Sequence, residues 1–149
     1  MEILEATEFD IPAILTFGHY FHDISDYGKF QTYDHKGLKK NLFDVIQNPD
    51  ASMWVAWDNN KLAGAIMGML IPNFYDPSQI MAECGFLAVL PKYGSKHIGK
   101  KLRHLFEQWA VNSGASILMY SGYSRKFITA LKREDFTQTE VTLMKKVER

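Results

Sequence analysis

Residues able to hold an anion crowd into Gly94-Ser95-Lys96-His97-Ile98-Gly99-Lys100. Two glycines permit a tight turn, Lys96, Lys100 and Lys101 supply positive charge, and the stretch opens an amphipathic pattern. The first N–H groups of a helix lack partners within it and sit at the positive end of its dipole, so such a turn suits phosphate. Histidine is a side chain that can carry charge near neutral pH, so His97 either joins the lysines around an anion or points outward. Cys84 is the one cysteine of the chain. No histidine is paired with it in the sequence, so it reads as a small buried hydrophobe rather than a nucleophile. A lone cysteine also excludes an intrachain disulfide and a CxxC metal site, in keeping with a reducing cytoplasm. His19 and His22 lie near Asp23 and Asp26. No third ligand of clear spacing accompanies them, and no metal is expected.

The elements that must position these residues begin with the central one. Glu83 to Leu90 is a nearly unbroken apolar run, and His97 to Ala110 places Ile98, Leu102, Leu105, Phe106 and Trp109 at helical spacing. A strand, a glycine-bearing turn and a helix ending near Asn112 to Gly114 follow from that pattern. Before them, Glu2 to Ala6 predicts a short strand, and Thr7 with Asp10 predicts a capped start for a helix through Ile11, Ile14, Leu15 and Phe17. Residues 18–34 are dense in His, Tyr, Phe and Asp, and a second helix carries Leu38, Leu42, Val45 and Ile46 up to Asn48 and Pro49. Ser52 to Trp57 and Lys61 to Ile71 flank Asp58-Asn59-Asn60 as a hairpin, and residues 72–79 read as a loop. Ala115 to Tyr120 predicts a buried strand, Ser124 a cap for a short helix with Phe127, Ile128 and Leu131, and Thr139 to Val147 a last, alternating strand.

At 149 residues, 46% hydrophobic and 13% aromatic, the chain can bury one good core and is expected to form one domain over residues 1–149. Formal net charge is zero. A general nucleic-acid or membrane-surface binder needs basic excess, so the patch of Lys92, Lys96, Lys100, Lys101 and Arg103 is not expected to bind nucleic acid. The first twenty residues contain no Lys or Arg and no long apolar run, and no stretch of about eighteen apolar residues occurs anywhere. A cytoplasmic protein acting on small ligands is expected.

Around residues 83–110 the chain resembles the GNAT superfamily of acyl-CoA-dependent N-acyltransferases. The family motif is a strand ending V-x-P, then Arg/Gln-x-x-Gly-x-Gly/Ala opening a helix that often ends in Trp-Ala. Val89, Pro91, Tyr93, Ile98, Gly99, Leu102, Trp109 and Ala110 match it, while Gly94 stands at the Arg/Gln position and His97 at the first Gly. The predicted element order is similar to the GNAT layout from end to end. The resemblance implies an α/β fold whose mixed, mostly antiparallel central sheet is flanked by helices on both faces. The compact chain and its 18–34 stretch are also similar to phage-encoded acetyltransferases.

The resemblance further implies an acetyltransferase using acetyl-CoA as co-substrate, in which a small-molecule or peptide amine attacks the thioester directly in a ternary complex. It assigns Leu87, Ala88 and Val89 to the pantetheine arm, with a strand N–H near Val89 as oxyanion donor. Gly94, Ser95, Lys96, His97, Ile98, Gly99 and Lys100 go to the pyrophosphate. Glu83 stands six residues before Val89, at the offset of the general base in some relatives, and a solvated strand-end glutamate is the alternative. The family's usual acid, a Tyr on the short last helix, is replaced by Leu131. Tyr120 and Tyr123 are the substitutes at hand, Tyr123 the better placed. Ser124 takes the place of a family Asn and either touches the pantetheine or only caps. Residues 19–34 are expected to wall the acceptor pocket, with a packing cluster as the alternative. The other reading of the whole is a non-catalytic GNAT-fold module binding coenzyme A or a protein. An exposed edge or the terminal strands are places where a homodimer can form.

Overall fold

Alternation drives the sheet. In β2 (Ala51–Asp58) Met53 and Val55 point to one face and are buried, while β3 (Lys61–Pro72) pairs with it antiparallel around a turn at Asn59, whose φ is 54°. The computed structural model describes residues 1–122 and 124–149. β1 (Glu2–Glu5) adds antiparallel to β2, and β4 (Ile80–Val89) adds antiparallel to β3. β5 (Ala115–Tyr120) then joins β4 in parallel, giving the order β1-β2-β3-β4-β5. A parallel pair needs a crossover, and α3 (Ile98–Asn112) supplies it.

Helices cover both faces, as expected. α1 (Ile11–Ile24) and α2 (His35–Gln47) pack Ile14, Leu15, Phe17 and Leu42 against Met53, Val55 and Ala65. The Thr7/Asp10 capping box forms, although it closes a 3-10 turn over Glu8–Asp10 that leads into α1. On the other face Ile98, Leu102, Phe106 and Ala110 of α3 pack on Ala56, Ile66, Ala82 and Cys84. α4 (Arg125–Arg133) follows Ser124, whose hydroxyl accepts the Phe127 N–H at 3.4 Å.

Two expectations require correction. Residues 139–147 form no strand, and Val141, Leu143 and Val147 are exposed. Alternation selects a face only when a neighbouring strand supplies hydrogen bonds, and here nothing pairs with the segment among the described residues. For the same reason β5 is not a buried strand: it is the sheet's last, its outer edge unpaired among the described residues, with Ser116 and Ile117 exposed. No helix among the described residues is long and apolar enough to cross a membrane.

Candidate active site

The site originates in an irregularity of β4. Met67 of β3 faces Phe86 and the next residue, Gly68, faces Cys84, so Gly85 is an extra residue bulged out of the ladder. A bulge inverts the phase of the side chains. Ala82 and Cys84 pack toward α3, whereas beyond the bulge Phe86 and Ala88 pack toward α1 and α2. Glycine is the residue that tolerates such a bulge, and Gly85 is exposed there.

The bulge coincides with a parting of strands. β4 and β5 stay paired only as far as Cys84 opposite Tyr120, and β4 runs on through Val89 with no strand paired to it on that side among the described residues. Leu90 N–H donates to Ala63 O of β3 at 2.9 Å, and main-chain groups alternate sides along a strand. Ala88 therefore faces β3, its carbonyl lying close over Gly64, while the N–H and C=O of Leu87 and Val89 face the gap. Of the three residues assigned to a pantetheine arm, only Leu87 and Val89 have free main-chain edges. Ala88 is occupied by the ladder.

The gap opens a cleft of about 2460 Å³. Its walls include Met53, Met67 and Phe86 from one face of the sheet and Cys84, Leu87 and Arg103 from the other, so it passes between β4 and β5 from face to face. Leu87, Ala88, Val89, Gly94, Ser95, His97, Gly99, Lys100 and Ser124 all line it. Lys96 and Ile98 do not. The Lys96 ammonium lies over the Tyr93 ring, 5.3 Å from its centroid, and Ile98 is a core side chain with 1% exposure. Ile98 can offer a ligand only its backbone.

The phosphate-type turn is a 3-10 segment, Pro91–Lys96, running into α3. His97 joins them in the left-handed region, φ 56° and ψ 23°, and caps α3 without a side-chain hydrogen bond. That conformation explains why a glycine belongs at this motif position. A bond invisible in the sequence anchors the turn: Tyr93, 3% exposed, donates its hydroxyl to Asp58 Oδ2 at 2.8 Å. The bond, helped by Lys96 and Lys92 nearby, holds the Asp58 carboxyl below its usual range.

Glu83 is half-buried beside Met69 of β3 and Met119 of β5 and is not part of the cleft lining, although Met81, Cys84 and Gly85 are. By alternation with Ala82 and Cys84, its side chain faces α1 and α2. Tyr123 lies outside the described residues. Tyr120 donates to Glu107 Oε1 at 2.7 Å, and burial, followed by that bond, pushes its phenol far up. Its proton is therefore held tightly. Cys84, 7% exposed, has its thiol pushed up to about 12 by burial, which leaves it inert. Leu131, which the resemblance sets at the position of the family's acid, is buried.

Arg103, grouped with surface lysines from the sequence, is instead an interior cation with 7% exposure. Its Nη2 bonds Glu134 Oε2 at 2.7 Å, its guanidinium lies over the Tyr120 ring at 5.7 Å, and Nη1 has no hydrogen-bond partner among the described residues. Arg103 thereby ties α3 to the end of α4 at the edge of the cleft. Its place on the apolar face of α3, one residue after Leu102, was the available signal.

The profile of the Acetyltransferase (GNAT) family matches residues 19–127. The chain belongs to that family of acyl-CoA-dependent N-acetyltransferases. No curated protein sequence matches it. Among solved structures it is similar to an aminoglycoside acetyltransferase from an uncultured soil metagenomic sample, with 18% identity, TM-score 0.75, and coverage of 99% of this chain and 96% of that one. Glucosamine-6-phosphate N-acetyltransferase from Arabidopsis thaliana shares 11% identity over 99% and 98% of the two chains, TM-score 0.77. A transcriptional regulator from Bacillus halodurans shares 14% over 98% and 99%, TM-score 0.78. At such identities the likeness establishes the fold.

Proposed function

We propose that this chain moves an acetyl group from acetyl-CoA to an amine by direct attack in a ternary complex. The observation that carries the reading is the parting of β4 from β5 beyond Cys84 and Tyr120, with the main-chain edges of Leu87 and Val89 turned into a gap that leads to the start of α3. The pyrophosphate sits on the amides of Gly94 to Lys100, with Lys100 adding charge and Ile98 contributing backbone alone. The pantetheine follows Leu87 and Val89, and Ser124 closes the far side. The Val89 N–H stabilises the oxyanion as the nitrogen–carbon bond forms and the carbon–sulfur bond breaks.

Glu83 is the general base in this reading. Lying on the acceptor face but outside the cleft lining, it takes the ammonium proton through water. Tyr123 protonates the departing thiolate. Tyr120 is unsuited to that task because its proton is bound to Glu107. Since a coenzyme A thiol has a pKa of about 8.5 or somewhat above, loss of the acid slows the step without abolishing it.

Calorimetry with acetyl-CoA and a thiol-release assay across amines test the reading. Saturable heat followed by amine-dependent thiol release is expected, and a flat titration at millimolar acetyl-CoA overturns it. Heat without release leaves the binding module. A homodimer in this reading uses the open edge of β5 and the exposed side chains of residues 139–147. Light scattering at micromolar protein decides between it and a monomer.

A further inference from the structure

The acceptor's chemical class is written in the other end of the cleft, on the assumption, taken from the reading above, that the acetyl donor lies along β4. Between α1, the segment after it and α2, the floor of the wall carries rings and thioethers beside the aliphatic side chains of Ile14, Leu38 and Leu42. Phe21 lies 4.8 Å from Phe17 and 6.5 Å from Phe86, centroid to centroid, and Met53 and Met67 lie beside them in the lining. Aromatic faces attract a single cation, and methionine side chains adapt to apolar shapes.

Several polar groups of this wall are engaged with the chain itself, while the neutral side chains of Gln31, Thr32 and Asn41 also line it. His22 Nε2 is 2.7 Å from Gln31 O, Tyr33 donates its hydroxyl to Leu15 O at 2.6 Å, and the Asp34 carboxylate accepts the Gly37 N–H at 3.1 Å to cap α2. Around the whole cleft stand four cationic side chains, Lys100, Arg103, Lys126 and Lys132, against the carboxylates of Asp34, Glu134 and Glu140. Glu134 is already paired with Arg103. With that pair set aside, Lys100, Lys126 and Lys132 face Asp34 and Glu140, a balance that favours an anionic donor over a molecule with several ammonium groups.

We infer that the acceptor is a primary amine of single positive charge on an aromatic or aliphatic body, which lies against Phe21, Phe86 and Met67. Once deprotonated, its nitrogen lone pair attacks the thioester carbon. The nitrogen–carbon bond forms, the carbon–sulfur bond breaks, the nitrogen's second proton leaves to the base, and the thiolate is protonated to give free thiol and a neutral amide. A neutral product loses the cation's attraction to the rings, which favours its release.

The test compares 2-phenylethylamine with spermidine and kanamycin in the thiol-release assay. We expect kcat/KM for 2-phenylethylamine to exceed that of either polycation roughly tenfold or more. Phe21→Leu, which keeps the bulk and loses the ring, is expected to raise the KM for this amine roughly three- to tenfold, with the acetyl-CoA Kd unchanged. Asn41→Asp adds a carboxylate to the same wall and is expected to raise activity on spermidine. Preference for a polycation, or a folded Phe21→Leu protein with wild-type KM, overturns the inference. Direct calorimetry of each amine separates this from the preceding reading. Heat from 2-phenylethylamine alone supports the inference even if acetyl-CoA does not bind, and heat from spermidine alone overturns it.

Discussion

On the α3 face of the sheet Leu102, Phe106 and Ala110 are wholly covered, and Gly64 and Gly68 of β3 leave the space that Leu102 and Phe106 fill. On the α1/α2 face the contact passes through Phe21, Phe86, Met53 and Met67, side chains that also line the cleft. The packing of Leu102, Phe106 and Ala110 is closed and its fit is steric, although Cys84, Leu87 and Arg103 on the same side reach the cleft; the other face shares much of its packing surface with whatever enters. This division suits an enzyme whose donor is constant and whose acceptor differs among relatives. A sealed face can hold a turn and a helix start in fixed geometry, while a face of rings and thioethers changes partner at small cost to the fold.

The comparison is broken most severely at Phe106. A Cβ on Gly68 would run into the Phe106 ring, so the ring and the glycine form one fitted pair with no space to spare. Phe106→Ala is expected to lower unfolding free energy by about 3–5 kcal/mol. Phe21→Leu on the opposite face is expected to cost less than about 1.5 kcal/mol. Urea denaturation of both variants measures the contrast. Equal losses would mean that the two faces are packed alike.

Tyr93→Phe sharpens the comparison at the point where the sealed face meets the site. It removes the hydroxyl bond to Asp58, 35 residues away, that fastens the turn before α3 to the end of β2. The acetyl-CoA Kd is expected to rise roughly three- to tenfold with little change in the KM of the amine. Acid adds an independent check. Because the folded Asp58 pKa is lowered, its contribution is fully present above the ordinary carboxylate pKa of 3.8 and is lost as pH falls through the lowered folded value. Between pH 5 and pH 3 the wild-type melting temperature should therefore fall more steeply than that of Tyr93→Phe. Parallel curves would show that the bond carries no stability.

What could be read from the sequence was local. The Asp58-Asn59-Asn60 turn, the strand–turn–helix around Gly94 and the Ser124 cap each depend on residues within a few positions of one another, and each stands where it was expected. The segment 139–147 shows where that logic ends, since alternation names a face but cannot name the strand that will pair with it. The tie from Tyr93 to Asp58 and the burial of Arg103 against Glu134 join residues more than thirty positions apart, so no spacing rule reveals them. Gly85 is different. A glycine inside an apolar run is a recognised mark of a bulge, and it would have located the parting of β4 from β5.

His97 is the smallest of the three tests and the one that bears on the motif itself. Its φ of 56° puts a side chain where L-residues pay about 1–2 kcal/mol, and the matching family residue, glycine, takes that conformation freely. Glycine also gives the unfolded chain more freedom, which offsets part of the gain. His97→Gly is therefore expected to raise unfolding free energy by about 0.5–1 kcal/mol. It should also tighten acetyl-CoA by roughly two- to threefold, because the backbone can then approach the phosphate more closely. Denaturation and calorimetry give the two numbers separately. A gain in stability with a loss of affinity would mean that the imidazole donates to the anion, and that this chain holds its donor partly with a side chain.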